Sequence, residues 1–109
     1  MKKYRIEQFE KTENYSVKGY LDFRCEEGEE AVISFIKNEY YPEDIDTVTI
    51  GTFDNLSDAE EALKDKKCIV RDYGNRTEID LTYIEEIEIN DDDEIEEYNT
   101  LSYADFVVF

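Results

Sequence analysis

The 109-residue chain has no histidine, one proline, four isolated glycines and two widely separated cysteines. Without histidine, serine–histidine and cysteine–histidine nucleophile systems are excluded. Scattered glycines leave no glycine-rich phosphate loop. Cys25 and Cys68 lack paired spacing, and no histidine is present to complete a zinc site, so two reduced, part-buried thiols are expected rather than a disulfide. No run approaches the length of a membrane span, and polar residues follow Met1-Lys2-Lys3 at once, without the apolar segment of a signal peptide. A cytoplasmic location away from the membrane is expected. The most uneven absence concerns charge: after Arg76 there is no lysine or arginine.

Thirty acidic residues stand against twelve basic ones, for a formal net charge of −18. The composition is nevertheless that of a folded domain, with nine tyrosines and six phenylalanines, whereas disordered acidic tails are poor in aromatics. The length suits one domain over residues 1–109 with a single modest core.

Alternation over Lys3–Phe9 predicts a first strand, and Glu10–Asn14 a polar turn. Tyr15–Cys25 alternates again and predicts a second strand in a hairpin with the first. After an acidic turn around Gly28, Ala31, Val32, Phe35 and Ile36 recur at helical spacing. A helix is expected over Glu29–Tyr40, closed by Pro42, although Val, Ile and Phe also favour strands. The β-branched Asp46–Phe53 predicts a strand. Ser57-Asp58-Ala59-Glu60 matches a capping box opening a second helix. Lys67–Tyr73 returns as a strand, and Gly74-Asn75 is a turn. From Thr77, Ile79, Leu81 and Tyr83 alternate with Glu78, Asp80 and Thr82. The phase swaps at Ile84 and Glu85, which predicts a bulge or bend there. Leu101–Phe109 is apolar enough to dock on the core as a last strand. The sum is an α+β domain: an antiparallel or mixed sheet of about five strands with two helices packed on one face.

The chemistry is less explicit than the charge. Asp91-Asp92-Asp93-Glu94 lacks the alternating ligands and central glycine of an EF-hand loop, so a solvated loop with weak cation binding is expected. With thirty carboxylates, any pair arises by chance. No catalytic residue, cofactor or metal is expected, and the chain does not read as an enzyme.

Twelve carboxylates lie beyond Arg76: Glu78, Asp80, Glu85, Glu86, Glu88, Asp91, Asp92, Asp93, Glu94, Glu96, Glu97 and Asp105. A chain needing only solubility would intersperse both signs. On a strand, Glu78 and Asp80 share a face about 6.6 Å apart, Glu86 and Glu88 extend the row, and the following loop adds six more. The expected result is a linear ridge of negative charge, flanked by Tyr98 and Tyr103. Such a ridge can stand in for a phosphate backbone in a groove lined with Lys and Arg. All of these except Asp105 and Tyr103 are therefore the expected partner-binding residues.

In size, acidity, lack of histidine and the segment Glu85–Glu97 (EEIEINDDDEIEE), the chain resembles the small acidic nucleic-acid mimics of phages and mobile elements, which include anti-CRISPR and antirestriction proteins. The resemblance implies a non-enzymatic inhibitor in the cytoplasm of a bacterial host. Its partner would be a basic nucleic-acid-binding protein, foremost a CRISPR effector nuclease, with no direct binding to nucleic acid. The alternative is an immunity protein or antitoxin that neutralises a basic toxin nuclease by the same electrostatics.

Overall fold

A computed structural model of the chain describes residues 1–22, 29–39 and 47–109. The elements run β1 (Lys2–Glu13), α1 (Val17–Asp22), α2 (Glu29–Glu39), β2 (Val48–Phe53), α3 (Leu56–Leu63), β3 (Lys67–Asp72), β4 (Thr77–Ile89), β5 (Ile95–Tyr103) and β6 (Asp105–Val108). The α+β class holds, with six strands in a mostly antiparallel sheet and three helices. Cys25, the turn around Gly28, Pro42 and the expected strand start at Asp46 lie outside the described residues.

β4 organises the sheet. One edge of it pairs with β1 along twelve residues, from Lys2 opposite Glu88 to Glu13 opposite Thr77. Its other edge is shared end to end: β3 takes Thr77–Asp80 and β5 takes Tyr83–Ile89. β2 lies outside β1, and β6 runs parallel to β3. The seam between β3 and β5 falls at Thr82. There Ala104 N–H donates to Thr82 O (2.9 Å), the Cys68 thiol donates to the same oxygen (3.2 Å), and Thr82 N–H donates to Cys68 Sγ (3.3 Å). A buried cysteine thus satisfies backbone groups that no neighbouring strand reaches.

Both faces of the sheet are covered. Strand register puts Phe9, Val70, Ile79, Leu81 and Tyr83 on one face, where they join Val17 and Leu21 of α1 and Val32 and Ile36 of α2 in the buried core. The expected stripe of α2 is the one observed. Ile6 and Ile84 point to the other face, over which α3 crosses β1, β2 and β4 with Ala59 and Leu63 buried. Burying an isoleucine contributes roughly 1.5–3 kcal/mol, and these two anchor the second layer. This resolves the apparent phase swap. Ile84 and Glu85 keep normal alternation, and the residues look out of phase because both faces are buried there. An irregularity does occur at this level, but in the partner strands: Leu101 is the extra residue opposite Ile84/Glu85, and Ile50 the extra residue opposite Ile6/Glu7. Paired bulges at one level increase local twist and curvature, on the stretch where α3 packs.

Three local expectations are corrected. Glu10–Asn14 is not a turn, since β1 continues to Glu13 and pairs with β4 throughout. The described part of the expected second strand, Tyr15–Asp22, is not a strand and forms no ladder with β1: Val17–Asp22 is helical. The cause is long-range. The Ser16 hydroxyl accepts Gly19 N–H (2.9 Å) and donates to Asp72, whose carboxylate also accepts Lys18 N–H (2.9 Å). Val17 N–H donates to the Thr77 hydroxyl (3.0 Å), which donates to Tyr15 O (3.0 Å). A start fixed this way satisfies the helix's free amides, and Val17 and Leu21, four apart, become the buried stripe. For α3, the cap is Asn55 rather than Ser57: Asn55 Oδ1 accepts Asp58 N–H (2.9 Å) and the Ser57 hydroxyl (2.8 Å).

Two predictions follow from these anchors. Partial burial pushes the Asp72 carboxyl up, but the amides of Lys18 and Gly74 and the Ser16 hydroxyl outweigh it and hold the group below its usual range. Its stabilisation is complete above the unfolded carboxyl's pKa and is lost as pH falls through the lowered folded value. Asp72→Ala is expected to cost about 1–2 kcal/mol at neutral pH, with the deficit shrinking in acid, as read by urea melts across pH. At the seam, Cys68→Ala leaves buried Thr82 N–H unpaired and is expected to cost about 1–3 kcal/mol. Cys68→Ser, which keeps a donor and acceptor, is expected to retain more of that stability. Burial raises the pKa of the wild-type thiol, so it should resist alkylation until the protein unfolds.

Candidate acidic interface

The antiparallel ladder lays the basic N-terminal strand against the acidic one, and this decides which carboxylates are free. Lys2 Nζ lies 3.4 Å from Glu86, the Met1 amino group 3.0 Å from Glu88, and Arg5 Nη2 2.6 Å from Glu85. Glu78 meets Arg76 (3.8 Å) and the Tyr73 hydroxyl (3.3 Å), and Asp105 meets Lys67 (3.4 Å). Among the described residues, Asp80, Asp91, Asp92, Asp93, Glu94, Glu96 and Glu97 make no ion pair. Six of these seven lie in the turn and first residues of the β4–β5 hairpin, all exposed.

The expected ridge is therefore divided. Glu78, Asp80, Glu86 and Glu88 do share one face of β4, but the residues between them are covered: Thr82 is 2% and Ile84 0% exposed. About 20 Å of strand separates Asp80 from Glu86. Asp80 and Glu10 sit directly opposite each other at one end, and Glu88 and Glu97 at the other. Like charges in such positions repel, and the Met1 amino group relieves the second pair.

Glu85 does not belong to the surface. It lies on the opposite face at 4% exposure, and Glu7 beside it is at 1%. Arg5 bridges them, with Nε 3.1 Å from Glu7 and Nη2 on Glu85, while the Thr49 hydroxyl donates to Glu7 Oε1 (2.6 Å). Burial foremost, then the negative charges of Glu85 and Glu7, raises the pKa of the Tyr83 hydroxyl far above its ordinary value. Arg5 also stacks against Tyr98, 5.7 Å from the ring centroid. Tyr98, 46% exposed, is thus held from below by a fixed cation.

The hairpin turn is ordered. Asn90 N–H donates to Glu94 O (2.9 Å), Asp93 N–H to Asn90 O (3.1 Å), and Asn90 Oδ1 accepts the N–H groups of Asp92 and Glu94 (both 2.9 Å). Asp93 adopts a left-handed conformation (φ 61°), which aspartate and asparagine tolerate better than most residues. With the amides turned inward onto Asn90, the side chains of Asp91, Asp92, Asp93 and Glu94 project into solvent. No group of three or more His, Cys, Asp or Glu side chains placed to hold a metal occurs among the described residues. Asn90, Arg5 and Lys2 escaped the sequence reading. An asparagine before an aspartate run is a turn signal, whereas the Arg5 and Lys2 pairings depend on tertiary register.

Comparison with protein-family models, curated proteins and solved structures finds no match to this chain. Function must then be argued from the surface itself.

Arg5→Met would strand two buried carboxylates. Breaking such a pair costs about 3–5 kcal/mol, and the lower end is expected because the guanidinium keeps some solvent contact. Lys2→Met, an exposed site, should leave the unfolding midpoint in urea unchanged. A folded Arg5→Met variant of wild-type stability would remove Arg5 from this role.

Proposed function

We propose that the protein is a non-enzymatic inhibitor that inserts its acidic β4–β5 hairpin into a basic nucleic-acid-binding groove, and that the groove belongs to an RNA-guided nuclease of the CRISPR type. The observation that carries this reading is the ordered tip of unpaired carboxylates, Asp91, Asp92, Asp93, Glu94, Glu96 and Glu97. Nucleic-acid grooves bind phosphate through Lys and Arg without reading sequence. A fixed array of carboxylates engages the same cations, and steering by a net charge of −18 speeds encounter with a basic partner. Preorganisation matters, because a floppy acidic tail would lose ordering entropy on binding. Tyr98, set beside the tip on Arg5, adds an aromatic face able to stack on a partner arginine.

The function is tested in a purified DNA-cleavage assay with RNA-guided nucleases from several CRISPR types. The comparison protein carries Asp91→Asn, Asp92→Asn, Asp93→Asn and Glu94→Gln; asparagine at 93 suits the left-handed turn, so the fold is expected to persist. If exposed ion pairs contribute about 0.2–1 kcal/mol each, four lost pairs raise the inhibitory concentration by about fourfold to several hundredfold. Wild-type inhibition should also weaken as salt rises. Equal inhibition by both proteins would discard the tip as the contact. Failure to inhibit any RNA-guided nuclease, with inhibition of a toxin nuclease instead, would transfer the surface to the immunity reading.

A further inference from the structure

In a chain with 39% charged residues, the two longest stretches without any charge are Thr47–Phe53 and Tyr98–Ala104, seven residues each. Among the described residues they fall on the two outer edges of one half of the sheet, β2 outside β1 and β5 outside β4. An edge strand offers unpaired N–H and C=O groups to any passing strand, and soluble proteins guard such edges with charges, proline or bulges. β5 is guarded, because Glu96 and Glu97 lie within the strand and the acidic turn precedes it. β2 contains neither charge nor proline. Its bulge projects an apolar side chain: Ile50 is 44% exposed and Val48 64% exposed.

We infer that the β2 edge is a self-association site, where a second copy of this chain pairs antiparallel, β2 against β2, to make one continuous sheet. Charge selects the occupant. A cationic partner is drawn to the acidic tip on the far edge, and two copies of a −18 chain repel over most of their surfaces. At β2 two copies can approach without bringing charged strand residues together. Antiparallel pairing of a strand with itself is isologous, so one uncharged strand suffices and the assembly closes at two. Pairing through β5 would set two acidic hairpins side by side. Pairing through β2 leaves both hairpins on the outer flanks, because the order across this half of the sheet is β2-β1-β4-β5. A contact built on one short strand buries less than a standard interface, so the dimer is weak. It strengthens as salt screens the repulsion between copies, from a Debye length of about 10 Å at 0.1 M to about 3 Å at 1 M. That dependence is opposite in sign to the one expected for a basic partner, and it does not rest on the identity of the inhibited protein.

Sedimentation equilibrium of the full chain tests this at concentrations up to about 1 mM and at salt from about 0.1 M to about 1 M. The mass is expected to move from 12.9 kDa toward twice that value as salt and concentration rise. Val48→Lys with Ile50→Lys, both at exposed positions, should weaken association at least tenfold with an unchanged circular dichroism spectrum. Leu101→Lys on β5 should still dimerise. A wild-type chain that stays at 12.9 kDa throughout overturns the inference. So does a dimer that survives the β2 lysines, or one lost equally in the β5 variant.

Discussion

The ladder between β1 and β4 is the constraint from which the remaining arrangement derives. It joins the segment that carries Lys2, Lys3 and Arg5 to a strand with a glutamate at 78, 85, 86 and 88. The antiparallel direction sets the chain's early bases against its late acids, and the pairs Lys2–Glu86 and Arg5–Glu85 follow from register alone. In the opposite direction, the same strands would leave two buried carboxylates without a cation, which the interior does not tolerate. The ladder also fixes both faces of β4, so α1 and α2 cover one layer of apolar side chains and α3 covers Ile6 and Ile84 on the other.

Neutralisation along β4 leaves most of the uncompensated charge of this region at the hairpin end, with Asp80 the exception on the strand. A strand side chain opposite a base is partly spent, whereas a turn has no cross-strand neighbour. The net charge averages one per about 2.7 Å along the 49 Å long axis, sparser than the one per about 1.7 Å of duplex DNA. Over the whole molecule the likeness to a phosphate backbone is therefore loose. At the tip, six carboxylates within seven residues make it close. On the proposed function, the contact is with a short array of bases in the partner and not with a long channel.

How much of this the sequence carried depends on the range of the interaction involved. The stripe Ala31–Ile36, the β-branched Thr47–Ile50 and the alternation from Thr77 are local patterns, and they led to α2, β2 and β4. The acidic run Asp91–Glu97 was visible as a cluster, and so was its exposure. Val17–Asp22 was misread because its helical start is held by Asp72 and Thr77, more than fifty residues away, which no window over the segment can include. Glu85 looked like one more surface acid because its burial depends on Arg5, on Glu7 and on coverage of the face it shares with Tyr83. Asn55 took the cap from Ser57 because the helix starts two residues earlier than the Ser-x-x-Glu spacing implies.

Ile84 shows how these levels interact. Its apolar side chain interrupts the ridge, since it is buried in the layer where α3 meets β4, and Thr82 beside it on the same face is buried too. A continuous ridge would need a polar residue at 84, and β4 would then lose its anchor to the second helical layer. The fold thus trades length of acidic surface for a core on both faces of the sheet. With only 109 residues, a self-repelling chain has little apolar area to spare, so the central row is given to packing. Along β4 and β5 the acidic surface is left mainly to the turn between them, where Asp91, Asp92, Asp93 and Glu94 are all exposed.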